Sequence, residues 1–575
     1  MIGFKDIKSR NELADFLGIQ RRTLSYVLYK KGIDSYYSTF EIPKKNGGVR
    51  IICAPHGTLK TIQQRLAAAL YEYRSACIHN NNITINISHA FEKNKSILTN
   101  AQIHRNKYIV LSVDLESFFD SFHFGRIMGY FEKNRYFQLP HNVAVIIAQL
   151  TCYNGHLPQG APTSPILTNM ICEILDHRIL KLSKKYRLDY TRYADDMTFS
   201  TNNHAFNEQY NSFIDDLKSE LTKAGFSLNE QKTRLSLNSS HQGVTGLTVN
   251  KKVNVPASYY KTTRAMAHQL YTTGKYTING IEGTIASLEG RFSYIDHLTH
   301  HNNSIDGNTH NNFNLSAREE QYRMFLFYKY FFAHKFPLII TEGKTDIRYF
   351  KAALMNLCSE YPDLIEKKSS GFVYHIAFLH RTERLKYFFG ISQDGADSIG
   401  NLLNFYSSKK DWGHSMYFDY FSKLNPEYSP LPVFLLFDNE IQNKSKPLSK
   451  LASKQHLAQD AVAQLARDLC LPLKDSNLFL TTIPLVDGKK ECEIEYLFTA
   501  TTQEHRIDGR SLSLSDKYDT SMYYGKEIFS KYILEQYKTI DFSRFKPLLD
   551  AISKVITKKQ GSDARNLLLS HPAFP

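Results

Sequence analysis

The segment TRYADDMTFS, residues 191–200, decides the fold of the first half of this 575-residue chain. Aromatic and β-forming residues flank two adjacent acids, Asp195 and Asp196, which is the pattern of a β-hairpin with carboxylates at its tip. Ionised neighbours repel, and a divalent cation relieves the repulsion because Mg²⁺ takes oxygen ligands. Asp-Asp pairs are also common in solvated turns, so the dipeptide alone leaves both interpretations open.

A second strand pattern upstream favours the metal site. The run YIVLSVD, residues 108–114, predicts a buried strand that ends on Asp114, and a loop with Gly and Pro, LPQGAPTSP, follows at 157–165. Three carboxylates from two neighbouring strands would bind two metal ions, one activating a 3′-hydroxyl and the other holding a triphosphate. The spacing therefore predicts nucleotidyl transfer, the chemistry of a polymerase.

Composition agrees with a nucleic-acid partner. The chain has 71 Lys and Arg against 56 Asp and Glu, a formal net charge of +15. Such an excess is typical of proteins that bind polyanions, although charge alone is also compatible with a merely solvated surface. The length exceeds what one hydrophobic core usually serves, so several domains are expected.

The cysteines and the apolar runs indicate the cellular compartment in which the protein is expected. Seven cysteines are scattered without a CxxC pair, so the sequence predicts neither a zinc site nor a disulfide framework. The amino terminus lacks an apolar signal region, and apolar runs such as residues 143–150 are too short to span a bilayer. We therefore expect a soluble, cytoplasmic protein without membrane contacts.

The ordered motifs resemble those of reverse transcriptases. Residues 193–196, YADD, look like the family's YxDD box, and Asp114 like its first catalytic acid. The resemblance implies an α+β right-hand polymerase with fingers, palm and thumb over residues 1–298, using Mg²⁺ and dNTPs. It also implies Phe119 as a steric gate against ribose, and a substrate-binding set made of Lys44, Lys45, Arg50, Phe119, Gln159, Gly160 and Lys232.

Two further stretches resemble elements of retron reverse transcriptases. NISH, residues 86–89, is similar to the family's NxxH element, and VTG, residues 244–246, to its VTG element. The resemblance implies an enzyme that copies a structured non-coding RNA into a branched, RNA-linked single-stranded DNA (msDNA). It implies RNA-binding roles for Asn86, His89, Val244, Thr245 and Gly246. Separately, Lys261 and Arg264 lie beside tyrosines in a predicted helix and offer cationic and stacking groups suited to an RNA duplex, although an aromatic stripe is also typical of a core. For His89, a satisfied core histidine is the alternative.

Between the two halves, residues 299–334 are predicted to be a linker followed by an aromatic helix. Residues 299–314 are dominated by Asn and His without periodicity, which predicts a loop. Its histidines lack the fixed spacing of metal ligands, so a solvated loop is favoured over a metal site. A capping box from Ser316 to Glu319 opens the helix.

The remaining residues, 335–575, resemble a TOPRIM domain, the α/β metal-binding domain of primases, topoisomerases and overcoming-lysogenization-type nucleases. One acid follows a first strand, and D-x-E follows the strand VFLLF at 433–437. The set expected to hold a divalent metal is Glu342, Asp346, Asp438, Glu440 and Glu495. Alternatively, these acids serve as turn residues or helix caps. GKT at 343–345 lacks the first glycine of a phosphate-binding loop, since Leu338 stands there.

Three functional hypotheses follow. The first combines RNA-directed DNA synthesis with a TOPRIM effector that cleaves nucleic acid in anti-phage defence. The second is a nucleic-acid-binding toxin and antitoxin scaffold with an inactive TOPRIM domain, which the intact YADD and basic hairpin disfavour for the polymerase half. The third is an intron-type reverse transcriptase, which VTG disfavours. Self-association is left open.

Overall fold

The computed structural model describes residues 4–44, 47–80, 87–309, 311–392, 395–396, 398–406, 416–473, 476–515 and 517–570. The chain divides into two compact units, Met1–Tyr259 and Tyr260–Pro575. The helical region predicted as the thumb therefore falls in the second unit, although the predicted polymerase domain extended to residue 298. No helix in the described ranges combines the length and apolar composition that crossing a bilayer requires.

The first unit combines a small antiparallel sheet with surrounding helices. Its strands are β1 (Tyr37–Pro43), β2 (Val49–Pro55), β3 (Ile109–Glu116), β4 (Asp189–Tyr193), β5 (Asp196–Thr201), β6 (Ser227–Leu237), β7 (Gly243–Val244) and β8 (Leu247–Thr248). Its helices are α1 (Arg10–Phe16), α2 (Arg21–Ser25), α3 (Gly57–Asn80), α4 (Ile97–Ile103), α5 (Phe124–Lys133), α6 (His141–Thr151), α7 (Ser164–Lys185) and α8 (Phe206–Lys223).

The central sheet of this unit has the strand order β4-β5-β3-β6, and all neighbours are antiparallel. The predicted hairpin at 191–200 is confirmed as β4 and β5, and the predicted strand ending on an acid is confirmed as β3. Residues Ile109, Leu111 and Val113 of β3 are buried in the core, as their alternation requires. A separate hairpin, β1 with β2, carries Lys44 and Arg50, two of the three basic residues predicted at its tip.

The second unit begins within α9 (Ala257–Thr273) and is built around a mostly parallel sheet. The other helices are α10 (Ile285–Asp306), α11 (Ala317–Phe327), α12 (Lys344–Asn356), α13 (Glu383–Phe389), α14 (Tyr417–Leu424), α15 (Pro447–Lys454), α16 (Gln459–Asp468), α17 (Ala500–Gln503), α18 (Lys526–Glu535) and α19 (Lys546–Ser570). The strands are β9 (Thr277–Ile278), β10 (Ile281–Glu282), β11 (Leu338–Ile340), β12 (Ile365–Lys368), β13 (Gly371–Tyr374), β14 (Ala377–Phe378), β15 (Val433–Phe437), β16 (Cys470–Pro472), β17 (Leu478–Thr482), β18 (Ser511–Leu512) and β19 (Tyr523–Tyr524).

The main sheet of the second unit has the order β14-β11-β15-β17-β16, in which only the edge strand β16 is antiparallel to its neighbour. Strands β11 and β15 are buried along their whole length. This is the α/β character that the sequence predicts for residues 335–575. Because β11 and β15 are parallel neighbours, the residues that follow them lie at the same edge of the sheet.

The predicted loop at 299–314 is wrong over its first half. Helix α10 continues to Asp306 and ends at Gly307, which adopts the left-handed conformation with φ 69°. Its buried residues recur at helical spacing through Leu288, Phe292, Ile295, Leu298 and Asn302. The exposed His297 and His300 lie on the outer face of this helix, and the apolar residues on its other face are buried.

The capping box predicted for the next helix is confirmed. Ser316 and Glu319 exchange hydrogen bonds at the start of α11. The aromatic residues of α11 enter the core of the second unit, where Tyr322 and Phe325 stack on Phe292 of α10. Helices α10 and α11 thus form a packed pair.

Candidate active site

Three carboxylates meet on adjacent strands of the first unit. Asp114 on β3 is paired directly with Asp196 on β5. Asp195 occupies the two-residue turn between β4 and β5, after Ala194 in the left-handed conformation with φ 57°. The backbone N–H of Leu115 donates to the carbonyl oxygen of Asp195 at 3.0 Å, which holds the turn against β3. The sheet register therefore brings together the acids that the sequence predicted.

The charge state of this group of acids depends on their mutual repulsion. Burial, followed by the charges of Asp195 and Asp114, raises the pKa of Asp196 to about 6. Burial also raises the pKa of Asp195. Lys232 donates from Nζ to Oδ2 of Asp114 at 2.9 Å, and this hydrogen bond raises the pKa of Lys232. Hard oxygen donors that disfavour one another's charge suit Mg²⁺, so these residues fit the predicted ion.

A cavity of ≈ 900 Å³ opens beside these acids. Its walls bring together residues from the basic hairpin, from the segment after β3 and from the loop before α7. Seven of the predicted substrate-binding and catalytic residues line this cavity: Lys44, Arg50, Asp114, Phe119, Gln159, Asp195 and Lys232. Lys45 lies outside the described residues.

Gly160 permits the close approach of this loop to the hairpin. Its φ is 118°, and a Cβ atom there would lie 2.8 Å from Cγ2 of Ile52 and 3.0 Å from the carbonyl oxygen of Cys53. The backbone N–H of Cys53 donates to the carbonyl oxygen of Gln159 at 2.8 Å. Only glycine satisfies both the backbone conformation and the packing, so residue 160 couples the basic hairpin to the floor of the cavity.

The VTG element lies next to the acids. Thr245 and Gly246 line a second cavity of ≈ 290 Å³ together with Asp196 and Tyr193. Val244 is buried in β7 and pairs with Leu247 of β8. The sequence alone did not predict that the VTG element and Asp196 would line the same cavity.

The other predicted RNA-binding residues have different surroundings. His89 is buried, and its Nδ1 lies 2.8 Å from Oγ1 of Thr99, which matches the alternative of a core histidine. Asn86 lies outside the described residues. Lys261 and Arg264 are exposed on α9, where they line a cavity of ≈ 310 Å³ within the second unit.

Comparisons with known proteins agree with this geometry. Residues 42–264 match the family described as reverse transcriptase (RNA-dependent DNA polymerase). The Retron Mx65 reverse transcriptase of Myxococcus xanthus is 32% identical over 46% of this chain and 61% of its own length. The Retron Ec86 reverse transcriptase of Escherichia coli is 30% identical over 50% of this chain and 86% of its own length. The chain belongs to the retron reverse transcriptases.

Among solved structures, apo telomerase from Candida tropicalis aligns over 48% of this chain and 58% of its own, at 13% identity and a TM-score of 0.32. The alignments with the Mx65 and Ec86 proteins leave about half of this retron reverse transcriptase unmatched.

Sequence reasoning missed the residues that hold the acid hairpin of the retron reverse transcriptase in place. Arg192 is fully buried, and its guanidinium forms a salt bridge with Asp176 of α7 at 2.7 Å. Nη1 of Arg192 also donates to the carbonyl oxygen of Ala194 at 3.1 Å, inside the turn. Tyr190 donates to the same Asp176. The sequence did contain one signal for this pair. Arg192 occupies an inward position of a predicted strand, and a buried charge requires a partner of opposite charge.

The second unit of the retron reverse transcriptase gathers most of its predicted acids at one edge of the parallel sheet. Glu342 follows β11, and its Oε1 accepts a hydrogen bond from the backbone N–H of Asp438, the residue after β15, at 3.0 Å. Burial raises the pKa of Glu342 to about 7, with Asp346 and Glu440 adding to the rise. Burial and then Glu342 raise the pKa of Asp438 well above its usual value.

The remaining predicted ligands are engaged with protein groups. Asp346 accepts from the backbone N–H of Gly343 at 2.8 Å and so caps α12, as the alternative interpretation had it. Glu440 lies 2.6 Å from Nζ of Lys446, and Glu495 lies 3.2 Å from Nζ of Lys526. Strand β15 ends at Phe437, and the backbone N–H of Glu440 donates to the carbonyl oxygen of Asp438 at 3.1 Å. Asn439, between these two acids, forms a β-bridge with Cys492.

Proposed function

We propose that the first unit is an RNA-directed DNA polymerase that adds dNTPs to a growing DNA end. The observation that carries this proposal is the pairing of Asp114 with Asp196, with Asp195 turned into a cavity that also contains Lys44 and Arg50. Metal ions held by the carboxylates and the cationic side chains in the same cavity would together neutralise the negative charge of an incoming triphosphate.

Each group has a role in this reaction. Asp114, Asp195 and Asp196 would hold Mg²⁺, which when bound supplies activation of the attacking hydroxyl and neutralises charge on the phosphates. Lys44 and Arg50 bind the triphosphate, and Lys232, which already contacts Asp114, is placed to donate to the departing pyrophosphate.

We further propose that the template is a structured non-coding RNA and the product a branched, RNA-linked single-stranded DNA. The retron names of the relatives and the placement of Thr245 and Gly246 beside Asp196 support this. A protein of net charge +15 is suited to retaining such a polyanion.

The test is to sequence the nucleic acid that co-purifies with the full chain. We expect a short DNA that is covalently joined to RNA, and we expect it to be absent from Asp196→Asn. Asp189→Asn is the matched control, because this exposed acid begins β4 in the same hairpin and is bound to Lys107. An unbranched cDNA that carries no RNA linkage would contradict the retron product while leaving the polymerase assignment intact.

For the second unit we propose a TOPRIM-type, metal-dependent nuclease that serves as the effector in anti-phage defence. Its support is the meeting of Glu342 and Asp438 at the carboxyl ends of adjacent parallel strands, the edge at which α/β sheets usually carry their ligands. Glu440 and Glu495 would join them once Lys446 and Lys526 are displaced.

Glu342→Gln tests the effector, because the amide keeps the size of the side chain and removes the charge that a divalent ion requires. We expect loss of protection in a phage challenge, while short RNA-linked DNA is still made. Glu366→Gln, an exposed acid on β12, is the control. Full protection by Glu342→Gln would contradict nuclease action and favour the nucleic-acid-binding scaffold.

A further inference from the structure

A third group of possible ligands lies on the helix pair α10 and α11. Asp296 and His300 are one turn apart on α10, and Glu319 lies in the first turn of α11. One ligand atom from each of these side chains lies within 4.8 Å of the other two. Within the described part of the chain, no other group of three His, Cys, Asp or Glu side chains meets this condition.

The distances within the group suit an ion better than direct bonds. Nε2 of His300 lies 3.6 Å from Oδ1 of Asp296, which is too long for a hydrogen bond. Two ligands that are each about 2.0–2.2 Å from one Zn²⁺ at a tetrahedral angle are about 3.4 Å apart. Oδ1 of Asp296 is also buried without a hydrogen-bond partner in the described structure. A buried carboxylate oxygen without a partner is costly, and a cation would satisfy it.

Supporting contacts orient the other two side chains. Glu319 accepts from the backbone N–H of Ser316 at 2.7 Å and from the hydroxyl of Tyr387 at 2.6 Å, one at each carboxylate oxygen. Each oxygen has a second lone pair, so both hydrogen bonds are compatible with metal coordination. The ring of Tyr387 also packs against the imidazole of His300, with centroids 4.7 Å apart.

We propose that Asp296, His300 and Glu319 form a binding site for one divalent transition-metal ion, with Zn²⁺ as its chemical type. A nitrogen and two oxygen donors suit zinc, whereas Mg²⁺ prefers oxygen ligands alone. The imidazole of His300 is 44% exposed, which provides an entry path and leaves room for water in the remaining coordination positions. This site is separate from both groups of acids described above and uses none of their residues.

The ion would join α10 to α11 across the intervening segment, residues 307–316. Two of its ligands come from the last turns of α10 and one from the start of α11, so metal binding constrains the angle and separation of the pair. A ligand that binds only the folded arrangement stabilises it by mass action. We therefore assign the site a structural role within the second unit.

The test measures Zn²⁺ binding by the purified full chain after treatment with a chelator. Wild type and His297→Ala are expected to bind one more Zn²⁺ per chain than His300→Ala. His297 is the matched control, since it is an exposed histidine on the same helix outside the group. Asp296→Asn, which preserves side-chain size, is expected to weaken the binding of this ion by about tenfold or more. Excess Mg²⁺ is present throughout to occupy the oxygen-only sites.

A thermal unfolding series supplies a second readout. Zn²⁺ is expected to raise the melting temperature of wild type and of His297→Ala, and to have little effect on His300→Ala. Circular dichroism of each metal-free variant establishes that it has folded. Equal Zn²⁺ stoichiometry and affinity in wild type, Asp296→Asn and His300→Ala would overturn the proposal, as would an identical shift in melting temperature for all variants.

Discussion

The two groups of acids in this chain are built in opposite ways. In the first unit, Asp195 and Asp196 are neighbours in sequence, and a single antiparallel partner strand brings Asp114 beside them. In the second unit, Glu342 and Asp438 come from strands whose pairing joins residues almost a hundred positions apart. The first arrangement can be inferred from a local pattern, whereas the second depends on the order of strands in a sheet.

The two groups share one electrostatic feature. Burial and mutual repulsion raise the pKa of Asp196 to about 6 and that of Glu342 to about 7. In each group a lysine contacts one acid, Lys232 at Asp114 and Lys446 at Glu440. Both groups of acids therefore hold their protons more tightly than isolated carboxylates do, because burial and a neighbouring negative charge each disfavour ionisation.

The largest expected effect concerns the support of the first group. Arg192→Ala should lower the free energy of unfolding by about 3–5 kcal/mol, because it leaves Asp176 buried without its partner. Denaturant unfolding of the variant measures this loss. Arg178→Ala, an exposed position on α7, is the control and should change the value by less than about 0.5 kcal/mol. A similar, small loss for both variants would contradict the role of the buried pair.

Gly160→Ala should have the second largest effect, on both the free energy of unfolding and the binding of dNTPs. The strained φ and the contacts with Ile52 and Cys53 predict a cost of about 1–3 kcal/mol, together with weaker binding of dNTPs as the hairpin is displaced. Thermal unfolding and the KM for dNTPs in primer extension measure the two effects. Gly129→Ala is the control, because a Cβ there meets no neighbouring atom within 4 Å in the helix α5. An unchanged KM in Gly160→Ala would break the link between the hairpin and the loop.

The second group predicts a stability that depends on pH. The pKa of Glu342 is about 7 in the folded chain against 4.5 as its reference value, so the folded state holds the proton more tightly. Without metal, stability should fall as pH rises from about 4.5 to about 7. Glu342→Gln removes the contribution of Glu342 to this dependence, while Asp196 and Asp438 keep theirs, and it should stabilise the metal-free protein above pH 7 by about 1–3 kcal/mol.

Unfolding curves of wild type and Glu342→Gln at several pH values, with a chelator present, measure the difference. Glu366→Gln should retain the pH dependence of wild type, since Glu366 is half exposed on β12. Parallel curves for wild type and Glu342→Gln would show that the acids of the second unit do not repel one another, and the comparison between the two groups would fail.

The smallest effect is a change in selectivity. Phe119 lines the cavity beside Asp114, and Phe119→Val opens space where a ribose 2′-hydroxyl would lie. Discrimination between dNTP and NTP should fall by about tenfold or more. The ratio of kcat/KM values in primer extension measures it, and an unchanged ratio would remove Phe119 from the role of gate.

Local periodicity was sufficient to predict β3, the hairpin at 191–200 and the acids that they carry. The prediction was wrong where composition was given more weight than periodicity. Residues 299–306 are rich in Asn and His, yet the apolar positions that continue through Leu298 make them helical. Reading that segment as a loop also hid the spacing of Asp296 and His300, which becomes informative only on a helix.

Features that depend on long-range contacts could not be predicted from the sequence. Asp176 pairs with Arg192, which is sixteen positions further along the chain, and the same carboxylate accepts a hydrogen bond from Tyr190. Neither feature follows from a sequence pattern, since both depend on how α7 and the strands pack. Resemblance to a family supplied the roles of Lys44, Arg50 and Lys232, which the cavity then brought together.

The most direct test of the account is primer extension on an RNA template with purified Asp196→Asn and Glu342→Gln side by side with wild type. The account predicts product at background for Asp196→Asn and at the wild-type level for Glu342→Gln, because the acids of the first unit alone carry DNA synthesis. Undiminished product from Asp196→Asn, in protein that unfolds like wild type, would contradict the assignment of Asp114, Asp195 and Asp196 as the polymerase site.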